Sequence, residues 1–296
     1  MTMLGVRPLV LLAFLTALLS GCGTGGGSSG AEADFETAQA IDPIIAVPAD
    51  AESAGLVFYN QLIDTGIDDD PDTIEPDLVT IDVFADALKI VTARDYDTDA
   101  DTPAIRIEVD DPSSDIAFSA LTTADGVDIV VDDVQTLKPG RVYTLVAMGN
   151  TQLAPGPEAP GEGVPTRPAI NAYEQLTPPI LGDDNVRVRF IHAYAQQPLP
   201  ITITNALGDV EIASDVPYAR TSGDDLLIVS DNVIGDSLEL AIEGVLGSPI
   251  QVSCPVEAGE RYDVIVAQRN MDREGPDIQP AIFCHRMGTA GLLGTE

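Results

Sequence analysis

The chain has 296 residues, with 48 acidic residues against 14 Lys and Arg, a formal net charge of -34, and an apolar fraction of 45%. That apolar share, with its Val, Ile and Leu, suffices to build cores, so the acidity does not make the chain disordered. Its only lysines are Lys89 and Lys138 and its basic residues form no cluster, which argues against a phosphate-binding face and against nucleic acid as a partner.

Residues 1–21 carry Arg7, an apolar run from Pro8 to Leu19 broken only by Thr16, and then Ser20-Gly21. The run is shorter than the ~20 apolar residues that a permanent membrane span needs, which makes it a signal peptide. Leu19-Ser20-Gly21-Cys22 resembles the bacterial lipobox, and that resemblance implies cleavage before Cys22 and acylation of its thiol. Acyl chains contribute about 0.8 kcal/mol per buried methylene, so several on one cysteine hold a protein durably on a membrane. Gly23, in place of the Asp of an inner-membrane retention signal, favours the outer membrane of a Gram-negative envelope.

Residues 22–52 are rich in Gly, Ser, Ala and acids and are expected to be a disordered tether. Residues 152–182 hold Pro and Gly in the run Ala154 to Pro165 and are expected to be a linker. Between and after them lie two units, 53–151 and 183–271, followed by a tail over 272–296. The units end alike, with Leu137-Lys-Pro-Gly140-Arg-Val-Tyr143 matching Val256-Glu-Ala-Gly259-Glu-Arg-Tyr262, each running on into an apolar strand. Leu56 to Asn60 similarly matches the stretch ending Arg189-Phe-Ile-His192. The chain is a tandem repeat. Its segments, such as Thr80 to Phe84, Ile201 to Thr204 and Leu238 to Ile242, are short, β-branched and bounded by turn residues. The expected fold is all-β, with two tandem antiparallel Ig-like β-sandwich domains.

Val188-Arg-Phe-Ile-His-Ala193, Pro198, Ile201-Thr-Ile203, Val216-Pro-Tyr218 and the segment from Ala258 to Tyr262 resemble the domain of unknown function 4397 family. In the first repeat Ile81-Asp82-Val83-Phe84 fits that family's second strand, while Asn60 stands where its opening His belongs. The resemblance implies extracytoplasmic β-sandwich modules, often in tandem on lipoproteins, with no established activity.

Once Cys22 is acylated, Cys254 and Cys284 remain in an oxidising compartment, where a disulfide is expected and two buried free thiols are the alternative. His192 is expected to be a hydrogen-bonded structural residue, since no nucleophile or orienting acid accompanies it in sequence. His285 beside Cys284 falls short of a four-ligand zinc set. Glycine patterns in the tether, around Gly25 to Gly30, have no strand and helix to shape them into a nucleophile elbow or dinucleotide loop. Two acidic clusters stand out: Asp68, Asp69, Asp70 and Asp72, and the alternating Asp95, Asp97, Asp99 and Asp101. The second could turn carboxylates toward calcium, although Ala100 and Arg106 exclude an EF-hand; the alternative is a solvated acidic loop. No catalytic residue and no other cofactor is indicated. The expected function is a noncatalytic envelope lipoprotein, held to the membrane by its lipid, with a structural role or a protein or glycan partner. A calcium-stabilised adhesion protein is the second expectation. A carboxylate-dependent hydrolase is the third, and the absence of Trp weighs against a sugar-binding cleft.

Overall fold

Alternating apolar residues put one face of each strand into a core, and the structure, a computed structural model, is built almost wholly on that pattern. It describes residues 36–37, 39–41, 52–63, 79–94, 105–110, 112–124, 126–151, 167–175, 185–195, 199–205, 210–223, 227–229, 233–234, 237–245, 249–268 and 280–287. Cys22 and the acidic residues Asp68, Asp69, Asp70, Asp72, Asp95, Asp97, Asp99 and Asp101 lie outside the described residues.

The first repeat contains β3 (Ser53–Ile63), β4 (Ile81–Ala85), β5 (Leu88–Arg94), β6 (Ile105–Glu108), β7 (Ser114–Thr122), β8 (Asp128–Leu137), β9 (Val142–Asn150) and β10 (Ala169–Glu174). They form two four-stranded sheets, ordered β10-β9-β3-β6 and β5-β4-β7-β8. The second repeat contains β11 (Arg187–His192), β12 (Ile201–Asn205), β13 (Glu211–Val216), β14 (Leu227–Ile228), β15 (Val233–Ile234), β16 (Ser237–Glu243), β17 (Ile250–Pro255), β18 (Arg261–Gln268) and β19 (Pro280–Arg286). Its sheets run β14-β11-β18-β19 and β17-β16-β12-β13, with β15 on β16. Two short strands, β1 (Glu36–Thr37) and β2 (Gln39–Ile41), extend these sheets beyond β17 and β19.

Leaving out β15, which has no counterpart among the described strands of the first repeat, the two repeats correspond strand for strand, eight to eight. In each, the opening strand pairs parallel to the strand after the Gly turn: Leu56 lies opposite Tyr143 on β9, and Val188 opposite Tyr262 on β18. The other pairings within the repeats are antiparallel, as expected, and these two pairs are parallel. They arise because first and seventh strands of a repeat come together only after the chain has crossed to the second sheet and back, which lets them run the same way. The glycines of the two turns, Gly140 and Gly259, have positive φ, a conformation that strains other residues. Each turn is pinned by its tyrosine: the Lys138 N–H donates to the Tyr143 hydroxyl at 2.9 Å, and the Glu257 N–H to that of Tyr262 at 2.8 Å.

Three expectations about connecting segments change. β10 falls in the stretch expected to be linker, β19 in the expected tail, and β1 and β2 in the expected disordered tether. β10 and β19 are the eighth strand of each repeat, and Pro- and Gly-rich flanks hide their short apolar alternation, Ile170 with Ala172 and Ile282 with Cys284, from composition. β10 is an edge strand, and its N–H groups are covered by side chains from β8: Asp133 accepts from Ile170 at 2.8 Å and Gln135 from Ala172 at 3.3 Å. Burial raises the pKa of the Asp133 carboxyl there, partly offset by that N–H.

In the second repeat Cys254 and Cys284 occupy the places of Gln135 and Ala172, and they are joined as a disulfide. The sequence positions agree, since Gln135 and Cys254 each lie eight residues before the paired tyrosine, while Ala172 faces Leu145 and Cys284 faces Val264. One repeat thus ties its two sheets by a hydrogen bond and the other by a covalent bond. Charge is also exchanged between matched sites: Glu174 meets Lys138 and Arg141 at 3.4 and 3.5 Å, whereas Arg286 meets Glu257 at 3.1 Å and also Glu260.

The disulfide closes a 30-residue separation, and its removal in the double variant Cys254→Ala/Cys284→Ala is expected to lower unfolding free energy by about 3 to 4 kcal/mol in chemical denaturation. Conversely, Gln135→Cys with Ala172→Cys is expected to form a second disulfide on air oxidation, seen as a mass loss of about two protons and a gel shift on reduction. Failure of that pair to oxidise would break the proposed equivalence of the two sheet edges.

Candidate functional site

The strands β3, β9, β11 and β18 are buried along nearly their whole lengths, on both faces. One face of each packs into its own repeat, where Phe58, Leu145, Phe190 and Val264 are enclosed. The other faces meet each other. Val57, Tyr59, Ile63, Val146 and Met148 of the first repeat form a third core with Ile191, Ala193, Ile265, Ala267 and Phe283 of the second. The sandwiches therefore stack sheet on sheet within the compact unit Phe35–Glu296, as four layers with three cores.

A polar network crosses that middle layer. Arg189 grips Asp263 in a fork, Nε to Oδ1 at 2.7 Å and one terminal amine to Oδ2 at 2.9 Å. Its other terminal amine donates to the Glu174 carbonyl of the first repeat at 2.6 Å. Thr144 donates to Asp263 Oδ2 at 2.5 Å and accepts from the Gln175 side chain at 3.2 Å. Arg189 is 3% exposed, Asp263 and Thr144 0%, and Gln175 4%, so water takes no part in screening the pair. Thr144 and Asp263 are matched positions of the two repeats, each following the paired tyrosine, and they touch each other. That is the signature of an isologous contact, in which one surface meets its own counterpart.

His285 lies on the same face, opposite Asp263 in the β18–β19 register, with its ring edge-on to Tyr59 at 5.2 Å between centroids. It is 0% exposed, and neither ring nitrogen has a hydrogen-bond partner among the described residues. Burial pushes its pKa down to about 4 against the pull of Asp263. The matched residue in the first repeat, Tyr173, also has a buried hydroxyl with no hydrogen-bond partner among the described residues, and burial pushes its pKa up.

His192 has a structural task. Its Nδ1 accepts the Tyr194 N–H at 3.3 Å, which leaves the proton on Nε2 to donate to the Leu199 carbonyl at 2.9 Å. Asn60, its counterpart, makes the same two bonds: Oδ1 accepts from Leu62 N–H at 3.1 Å, and Nδ2 donates to Val79 O at 2.7 Å. An amide thus replaces an imidazole atom for atom, and the missing opening His of the first repeat leaves the loop just as firmly held. Burial also lowers the His192 pKa to about 4. Asp82, on β4 of the first repeat, binds Lys89 at 2.6 Å and the Ala93 N–H at 2.8 Å, and these hold its carboxyl below the usual range. Ala93 has φ 48°, so Asp82 pins a strained bulge in β5.

Among the described residues, no three His, Cys, Asp or Glu side chains gather closely enough to hold a metal ion. The residues that the sequence offered for chemistry, His192, His285 and the cysteines, are not brought into a common cleft. Arg189, Asp263, Thr144 and Gln175 were not singled out in sequence, because a charged residue between apolar neighbours in a strand has the pattern of a solvent-facing position.

No family model matches the chain, and no curated protein matches it. Among solved structures it is similar to CBMbc, a family CBM26 module from Eubacterium rectale Amy13K crystallised with maltoheptaose. Identity is 10% over 76% of this chain and 98% of that one, with a TM-score of 0.19. That likeness is too slight to bear on function.

Removing one partner of a buried ion pair leaves the other uncompensated, so Asp263→Ala is expected to cost about 3 to 5 kcal/mol of stability. Arg189→Met with Asp263→Leu is expected to restore most of that loss in chemical denaturation, whereas additive losses would show that the pair itself stabilises the layer. A second expectation concerns acid. The unfolded chain protonates its histidines near pH 6.5 and the folded chain only near 4, so stability is full above pH 6.5 and falls as pH drops toward 4. Each histidine contributes on the order of 3 kcal/mol to that fall, and His285→Leu should flatten the slope of melting temperature against pH in this window. An unchanged slope would mean that His285 gains a proton partner on folding.

Proposed function

We propose that the protein is a noncatalytic, lipid-anchored envelope protein whose two stacked sandwiches, joined by a shared core, serve structural support or bind a protein or glycan partner. The observation that carries the noncatalytic reading is the disposition of the reactive groups. His192, His285 and Asp263 are fully enclosed and Arg189 nearly so, out of a substrate's reach; the bonds of His192 are spent on a loop and those of Arg189 and Asp263 on the layer between repeats. A general acid or base has to meet its substrate within hydrogen-bond reach.

The anchor rests on Leu19-Ser20-Gly21-Cys22, and the address that follows is the outer membrane. The disulfide between Cys254 and Cys284 supports an oxidising compartment. The resemblance of Val188 to Ala193 and Val216 to Tyr218 to the domain of unknown function 4397 family supports the same reading. The shared core between the inner sheets supports a display role, because it joins the two sandwiches through buried apolar contact.

The test is fractionation of cells grown with a radiolabelled fatty acid. The wild-type protein is expected to carry label and to sediment with membranes, and Cys22→Ser is expected to lose the label and appear in the soluble fraction. A Cys22→Ser protein that stays membrane-bound would refute the lipid anchor.

A further inference from the structure

β1 and β2 are separated by one residue, yet they pair with different sheets. β1 runs parallel to β17, with Glu36 opposite Val252 and Thr37 opposite Ser253. β2 runs parallel to β19, with Gln39, Ala40 and Ile41 opposite Phe283, Cys284 and His285. β17 and β19 are edge strands of the two facing sheets of the second repeat, and the disulfide joins them. β1 and β2 therefore add to both sheet edges on the side of the sandwich where Cys254 and Cys284 are bonded.

The first repeat has the same side, formed by β8 and β10. Among the described residues no strand extends either sheet there, and the side chains of Asp133 and Gln135 cover the β10 edge instead. Among the described residues this addition is found on the second repeat alone, made by chain that precedes the first repeat in sequence.

We propose that residues 36–41 are a clasp through which the membrane anchor enters the folded body, so that the C-terminal repeat faces the lipid surface and the N-terminal repeat is the displayed module. This rests on the acylation of Cys22 proposed above. With the clasp engaged, the chain from the anchor meets the body after residues 23–35, a span of at most about 45 Å, and it meets it on the second repeat. Without it, the body would begin at Ser53, after residues 23–52 and up to about 105 Å of chain, and the point of entry would be the first repeat. Sequence order alone would place the N-terminal repeat next to the membrane, and the clasp reverses that order.

Matched probes exist for a test. Leu88, 63% exposed at the β4–β5 hairpin, and Val210, 57% exposed just before β13, occupy equivalent hairpins of the two repeats. Full-length acylated protein carrying a fluorophore on Leu88→Cys or Val210→Cys is placed in liposomes that contain a head-group quencher lipid. Quenching at Val210→Cys is expected to be at least twofold stronger than at Leu88→Cys. Thr37→Pro with Ala40→Pro, which removes two backbone donors from the clasp, is expected to abolish that difference and to speed amide exchange in β17 and β19 about tenfold or more. Equal or stronger quenching at Leu88→Cys in the intact chain would overturn the orientation, and unchanged exchange in the proline variant would overturn the clasp. The exchange measurement needs no lipid, so a clasp that passes it in a protein that does not float with liposomes would mean that the anchor, and the orientation with it, had failed.

Discussion

The structure depends on burying one sheet of each repeat twice over. β3 with β9, and β11 with β18, present apolar side chains to their own sandwich and to the other repeat, so neither pair has a solvent side. Parallel pairing suits such a position, because parallel sheets occur where both faces are covered. An isolated repeat would expose the face that carries Tyr59, Val146 and Met148, or the face that carries Ile191, Ile265 and Phe283. Patches of that kind associate. The tandem arrangement is thus a constraint on folding rather than two beads on a string.

Within that layer the Arg189–Asp263–Thr144–Gln175 network sets how the repeats sit. Apolar contacts alone are tolerant of sliding, since attraction between hydrocarbon surfaces has no preferred register. A buried carboxylate held by a guanidinium fork and a threonine hydroxyl is not tolerant, because any shift leaves a charge unsatisfied in a dry site. Matched positions have diverged to make this possible. Thr144 and Asp263 are equivalent residues, as are Val57 and Arg189, so the duplicated halves became complementary where identical halves would have placed two acids or two bases face to face.

The same divergence runs through the rest of the molecule. Asn60 and His192 hold the same loop by the same two bonds, and Gln135 with Ala172 corresponds to the Cys254–Cys284 disulfide. Glu174 with its two bases corresponds to Arg286 with its two acids. In each case the geometry has been kept while the chemistry has changed. His192 is explained by the loop it fastens, and that is why this histidine is no sign of catalysis.

Much of this was legible from residues alone. Alternating β-branched segments and their turn residues determined an all-β chain, and the Gly140 to Tyr143 and Gly259 to Tyr262 segments determined its duplication. The cysteine count anticipated the disulfide. Those signals are local or concern a chain's own periodicity, which sequence carries directly. Only the tertiary structure decided that β10 and β19 complete the repeats, that β1 and β2 clasp the second one, and that the repeats share a core. Edge strands and straps are too short to show a period. Arg189 and Asp263 looked like solvent-facing residues because a strand's second face is polar whenever it meets water, and sequence does not say whether it meets water or another sheet.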